Sequence, residues 1–120
     1  RGAWDAAAVE ADEVGISPSP PPKFPNISVP YGALVPEKLD GVLAAGKPIS
    51  CATTARGTMR EIPQCWLMGQ AAGTAAALAA DAGVLPRDVD VKRLQALLTA
   101  QGVPLRQAAA ETPQAHTAEA

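Results

Sequence analysis

The sequence predicts an α/β fold built from short strands and two main helices, and three observations lead to it. Residues 41–45 form a continuous apolar run bounded by glycines, which is typical of a strand buried on both faces. Residues 63–82 begin with proline, are rich in alanine and are followed by glycine, so they predict a long helix. A second helix is predicted between Asp90, which suits an N-cap, and Gly102.

The N-terminal part, residues 1–26, is predicted to hold a helix followed by a linker. Apolar residues at helical spacing predict the helix over residues 4–14, with Gly15 as its end. Four prolines in the five positions 18–22 disfavour both a helix and a strand ladder, so an extended connector is expected there. A ligand for a proline-recognising signalling domain is the alternative interpretation of this stretch.

Residues 27–103 form the predicted domain, and residues 104–120 are expected to be a disordered tail. A short strand is predicted over residues 27–29, ahead of the buried run described above. His116 lies in the tail, so no catalytic role is expected for it. Because alanine buries little area and aromatic residues make up only 3% of the chain, this unit is predicted to be incomplete on its own and to pack on a larger partner.

The charge pattern separates a locally basic segment from an acidic chain. The net charge of −2 argues against a nucleic-acid partner. Between residues 46 and 73, however, three cationic side chains face a single acidic one, Glu61; the cations are Lys47, Arg56 and Arg60. This segment suits a nearby anionic group, although an ordinary solvated loop carries the same pattern.

The cysteine and histidine content excludes several kinds of site. Cys51 and Cys65 do not form a disulfide framework, and with one histidine in the chain no metal site is expected. We expect reduced thiols in a cytoplasmic protein, while a single disulfide stays open. No apolar run is long enough to span a membrane. Since the first residue is Arg rather than Met, we expect a trimmed end or an internal cut.

The candidate chemistry lies where the loop after residue 45 meets the start of the long helix. Gly46 lets a ligand approach the backbone, Lys47 offers a charge and Ser50 a hydroxyl. The first helical turn directs amide dipoles at whatever lies in front of it, and its residues are Pro63, Gln64 and Cys65. A phosphate, or a carbonyl that gains negative charge on reduction, would be stabilised there.

The long helix carries small residues along one face. Gly69 and Gly73 lie on it together with two alanines, and each interior glycine costs about 1 kcal/mol against alanine. Such a face suits the close approach of another backbone or of a ligand. Simple packing of a helix on a sheet is the alternative explanation.

Several of these segments resemble the C-terminal part of FAD-dependent oxidoreductases, and in particular the large bacterial family with a glutathione-reductase-type FAD-binding fold. The segments that carry the resemblance are residues 29–36, 42–50, 57–63, Cys65, 69–79 and 89–95. Together they cover about residues 27 to 103. The resemblance implies the C-terminal part of a Rossmann-like FAD-binding domain, with FAD as cofactor.

The resemblance also assigns roles to individual residues. It implies that Gly46 and Lys47 lie near the ribityl chain or pyrophosphate of FAD, and that the helix start at residues 63–65 faces the pyrimidine side of the isoalloxazine. Arg60 matches a family arginine that would place flavin or substrate. Family members often have arginine where Lys47 stands and histidine where Thr53 stands, and threonine does not serve as a general base near neutral pH.

The Gly-x-Gly-x-x-Gly strand-turn-helix that holds the ADP half of FAD does not occur in the sequence. We therefore expect a C-terminal fragment or small subunit of an FAD-dependent oxidoreductase, with an upstream or separate polypeptide carrying the Gly-rich Rossmann half. Flavin would perform hydride or electron transfer with a substrate that the sequence does not identify. The alternatives are a non-catalytic helical interaction module and a degenerate flavoprotein remnant.

Overall fold

The computed structural model describes residues 10–17, 27–51 and 53–105. Within these residues the elements are two strands, β1 (Glu13–Ser17) and β2 (Ile27–Pro30), and three α-helices, α1 (Thr53–Met59), α2 (Ile62–Ala82) and α3 (Val91–Ala100). Two 3-10 helices lie at Tyr31–Leu34 and Pro86–Asp88. The predicted α/β class, with short strands and two main helices, is confirmed at this level.

The sheet is an antiparallel pair of β1 and β2. Gly15 pairs with Val29, and the register shifts between Glu13 and Gly15, so Val14 is the extra residue of a bulge. The predicted helix over residues 4–14 is therefore wrong at its C-terminal end, and residues 1–9 lie outside the described part. Tertiary packing favours the strand here, because Leu67 of α2 occupies the space that a side chain at residue 15 would need.

The predicted strand over residues 41–45 is also wrong. Within the described part of the chain these residues pair with no strand, and the Ala44 N–H donates to the Leu34 carbonyl at 2.8 Å. Val42 is 46% exposed, whereas Leu43 and Ala45 pack partly against the core. The apolar residues therefore bring part of this segment to the core, although the segment does not pair as a strand.

The two main helices lie where the sequence predicts them. Helix α2 begins one residue before Pro63 and ends at Gly83, which takes a left-handed conformation at φ 65°. The Asp90 carboxylate accepts hydrogen bonds from the amides of Lys92 and Arg93, as expected of an N-cap. Helix α1 is not predicted, because Thr53–Met59 contains three threonines and a glycine, which are weak helix formers, and its sequence suits a polar loop.

The core lies between β1, β2 and one face each of α2 and α3. Its fully buried side chains include Val14, Val29, Leu34, Met68, Leu94 and Leu98. Leu105 is buried as well, so the core continues past residue 103, where the predicted tail begins. The division into residues 1–26, 27–103 and 104–120 stays a prediction, since residues 106–120, including His116, lie outside the described part.

Polar contacts join the N-terminal and C-terminal parts of the described chain. Gln95 on α3 donates through Nε2 to the carbonyls of Ala11 and Glu13, both at 3.0 Å. The Ser28 hydroxyl donates to the Glu13 carboxylate, which is buried beneath it. The β1 strand is thereby attached both to β2 and to α3, which are far apart in sequence.

One side of α2 is left open to solvent along its whole length. We refer to this surface as the outer face of α2, and its residues are Ile62, Trp66, Gly69, Gly73, Ala76, Ala77 and Ala80. Trp66 is 74% exposed and Ile62 is 65% exposed. In the described part of the chain, no atom outside the backbone of α2 itself lies within 4 Å of a Cβ placed on Gly69 or Gly73. The close approach of another backbone or of a ligand, which the spacing of these glycines suggests, is therefore not made by any described segment.

Candidate functional site

The loop that follows residue 45 turns sharply at Gly46. Its backbone has φ 84°, a conformation that costs other residues about 1–2 kcal/mol. The Gly46 carbonyl accepts a hydrogen bond from the Ile49 N–H at 3.2 Å, which closes the turn. The loop then runs to Ser50 and Cys51 ahead of α1, so the turn sets the position of Lys47 and Ser50 relative to that helix.

A cavity of about 380 Å³ lies between this loop and α1. Its lining residues are Gly46, Lys47, Ile49, Ser50, Cys51, Arg56, Met59 and Arg60. Four of the predicted site residues therefore share one cavity, namely Gly46, Lys47, Ser50 and Arg60. The volume is near the lower end of the ~300–1,000 Å³ that small-molecule sites occupy.

The other three predicted site residues lie beside the cavity and do not line it. Pro63 is exposed in the first turn of α2, whereas Gln64 is only 3% exposed. Cys65 packs against the loop: a Cβ on Gly46 would lie 3.8 Å from Cys65 Sγ, which itself donates to the Arg60 carbonyl at 3.6 Å. The open space is therefore not between Gly46 and Cys65 but next to them, towards α1.

The start of α2 has no side-chain cap. Glu61 is the N-cap residue and makes no capping hydrogen bond through its carboxylate. Its carbonyl accepts from the Cys65 N–H at 3.0 Å, so regular helical bonding begins there. The first turn thus retains the partial positive charge of a helix N-terminus, close to the Gly46 turn.

The electrostatic character of the cavity comes from three exposed cations. Lys47, Arg56 and Arg60 line it, and none of the described residues that line it is an aspartate or a glutamate. Within residues 10–17, 27–51 and 53–105 the ion pair found is Arg87 with Asp40, so none of the three cations is neutralised by a described carboxylate. The predicted local excess of positive charge is thus gathered at one cavity.

Four residues that line the cavity were not among the predicted site residues. They are Ile49, Cys51, Arg56 and Met59. Arg56 lies in α1 and Arg60 is the first residue after it. Recognition of α1 would have placed Arg56 on the short helix that leads to Arg60. The buried position of Met59 has no comparable signal, because it depends on how α1 packs.

Other site types find little support among the described residues. Cys51 and Cys65 are both free thiols. No three metal-ligating side chains of His, Cys, Asp and Glu gather anywhere in the described ranges. None of the helices described is both long enough and apolar enough to cross a bilayer.

Comparison with known proteins agrees with the resemblance noted from the sequence. The profile of the family described as FAD dependent oxidoreductase matches residues 5–98, which is most of the chain. No curated protein and no solved structure shows significant similarity to it. The family match supports a flavin-dependent redox role, while the finer glutathione-reductase-type assignment stays a prediction. The chain therefore belongs to the FAD-dependent oxidoreductase family.

Proposed function

We propose that the chain is a C-terminal fragment or small subunit of an FAD-dependent oxidoreductase and forms one wall of the flavin site. The observation that carries this proposal is the cavity beside the Gly46 turn, in a chain whose family uses FAD. The Rossmann-like placement of the chain at the C-terminal end of a glutathione-reductase-type FAD-binding domain is part of the same proposal.

The residues around the cavity fit a portion of FAD. The lining is cationic, which suits phosphate oxygens or the oxygens of a reduced flavin. Gly46 lines the cavity, and its missing side chain makes room for Cys65, which brings the start of α2 close to the cavity. Lys47 and Ser50 would donate hydrogen bonds, and the start of α2, formed by residues 63–65, would contribute its dipole from the side. Bound FAD supplies the hydride or electron transfer.

A separate or upstream polypeptide would complete the site. The sequence has no Gly-x-Gly-x-x-Gly fingerprint, so another segment must hold the ADP half of the cofactor. The outer face of α2 is the surface that we propose for its docking. Asp81 is the one charged residue in the 21 residues of α2, and helices that are apolar all round are buried in their complete proteins.

Co-expression tests the proposal. The full chain is produced together with a Gly-rich Rossmann half from an FAD-dependent oxidoreductase, and the purified complex is examined by absorption spectroscopy. We expect a yellow complex with the two flavin bands in the visible and near-ultraviolet range. A stable but colourless complex would contradict the proposal and would favour the interaction module or the inactive remnant.

The free thiols of Cys51 and Cys65 agree with a reducing compartment, and we include a cytoplasmic location in the proposal.

A further inference from the structure

The first observation is the positive charge gathered at the cavity. Lys47, Arg56 and Arg60 are all exposed and all line it, and none of them is paired with a carboxylate in the described part of the chain. Positive side chains that converge on a concave surface raise the local concentration of anions. Charge alone thus favours an anionic occupant.

The two arginines reach the cavity from one short stretch of chain. Arg56 lies in α1 and Arg60 is the first residue after it, and both line the cavity. The planar guanidinium fork of arginine matches a carboxylate or a phosphate.

The remaining lining favours an organic occupant. Met59 is buried and Ile49 is half-buried, and both contribute apolar surface to the same cavity. A bare inorganic anion gains nothing from such surface, whereas an anion with an apolar part gains from its burial.

We infer that the cavity binds the oxyanion group of a small organic molecule, a carboxylate or a phosphate, through Arg56 and Arg60. This inference deepens the proposed function and rests on it for the identity of the site. Two sources supply the same chemistry: a carboxylate or phosphate on the redox substrate, and the phosphate portion of the flavin itself. Arg56 is the residue newly assigned to binding.

Titration with a matched pair of probes tests the inference. The full chain, labelled with nitrogen-15, is titrated with benzoate and with benzamide, which have the same ring and differ in charge, while amide resonances are recorded. We expect benzoate to shift the resonances of residues around Arg56 and Arg60 and benzamide to leave them in place. Equal shifts from both probes, or none from benzoate, would overturn the inference.

Substitutions identify which cationic side chains bind the anion. Arg56→Gln and Arg60→Gln are each expected to weaken benzoate binding about tenfold, because a hydrogen bond to a charged group is lost. Arg93→Gln removes an exposed arginine on α3 that does not line the cavity, so it serves as the matched control. Equal affinity in all three variants would place the binding elsewhere and contradict the inference. Circular dichroism checks that each variant keeps the helical content of the parent chain.

The same titration on the flavin-loaded complex separates the two sources. Benzoate binding that persists beside bound flavin identifies the anion as part of the substrate, and binding that flavin abolishes identifies it as the flavin phosphate. The inference fails separately from the proposed function, since benzoate binding by a colourless complex overturns only the flavin role. A yellow complex whose affinity for flavin and for benzoate is unchanged by Arg56→Gln overturns only the role of Arg56.

Discussion

At the scale of single residues, Tyr31 shows how a buried polar group is accommodated in this small core. The side chain is buried, and its hydroxyl donates to the Pro86 carbonyl at 2.6 Å. It thereby connects the segment after β2 to the turn between α2 and α3. Burial disfavours the charged phenolate and raises the pKa of Tyr31 above its ordinary value of 10.0.

The titration of Tyr31 gives a direct prediction. Since the folded state holds the pKa above its unfolded value, the stability linked to this group is fully present below pH 10.0 and is lost as pH rises above it. Tyr31 is the single tyrosine of the chain, so phenolate absorbance reports it alone. We expect a midpoint above 10.0 in the folded chain and a return to it in urea. A folded midpoint at or below that value would contradict the burial described above.

Arg87 organises the loop that precedes the candidate site. Its guanidinium pairs with Asp40 at 2.6 Å and donates to the carbonyls of Pro36 and Leu39 at 3.1 and 3.4 Å. An exposed ion pair alone contributes little, so most of the effect is expected from the backbone contacts. We expect Arg87→Ala to lower the free energy of unfolding by about 1 kcal/mol. Arg93→Ala serves as the control in urea unfolding, and equal losses for both would show that the loop contacts are unimportant.

At the scale of elements, the parts of the fold that could be predicted are those with local signals. Proline at the start and Gly83 at the end define α2, and Asp90 defines the start of α3, because caps act on their own helix. Three of the seven predicted site positions, Gly46, Lys47 and Ser50, share the cavity for a similar reason, since they lie on one short loop, whereas Arg60 reaches the cavity from the far end of α1.

The elements that were missed depend on contacts between distant residues. The helix predicted over residues 4–14 would include Glu13 and Val14, yet these two residues belong to the strand Glu13–Ser17, which pairs with Ile27–Pro30 and packs on Leu67. Residues 41–45 are apolar enough for a strand but have no ladder partner in the described part of the chain. Pairing partners are chosen by tertiary packing, which a single sequence does not display. The same holds for Cys65, whose contact with Gly46 moves the open space towards α1.

Gly73 in α2 provides a test at this scale. A Cβ at this position meets nothing within 4 Å, and alanine favours a helix over glycine. We expect Gly73→Ala to stabilise the chain by about 0.5–1 kcal/mol in urea or thermal unfolding. A loss of stability would mean that another segment of the chain covers the outer face of α2.

At the scale of the whole molecule, the outer face of α2 is an apolar surface that the fold leaves exposed to solvent. Trp66 and Ile62 are largely exposed at one end of it, and the glycines form a flat centre. A chain with so few aromatic residues gains little from its own core, and under the proposed function we expect the Gly-rich half to cover this surface.

Gly73→Leu tests whether this face docks on the Gly-rich half. Leucine is a good helix former, so the isolated chain is expected to stay folded, while the bulky side chain keeps the two surfaces apart. We expect a loss of complex formation of at least tenfold in co-purification. Thr99→Leu adds the same side chain to an exposed position of α3 and serves as the control. Equal yields of both complexes would place the docking surface elsewhere.

The flavin content of two glycine variants decides whether the cavity beside the Gly46 turn receives the cofactor. Gly46→Trp and Gly41→Trp both force a side chain into a left-handed backbone, at φ 84° and 74°, so both carry similar strain. Gly41 lies in open space, whereas a side chain at Gly46 would meet Cys65 and Pro48 beside the cavity, so circular dichroism checks that both variants keep the helical content of the parent chain. In the co-expressed complex, we expect bound flavin to be lost with Gly46→Trp and kept with Gly41→Trp. Equal flavin in both complexes would contradict a flavin site at Gly46.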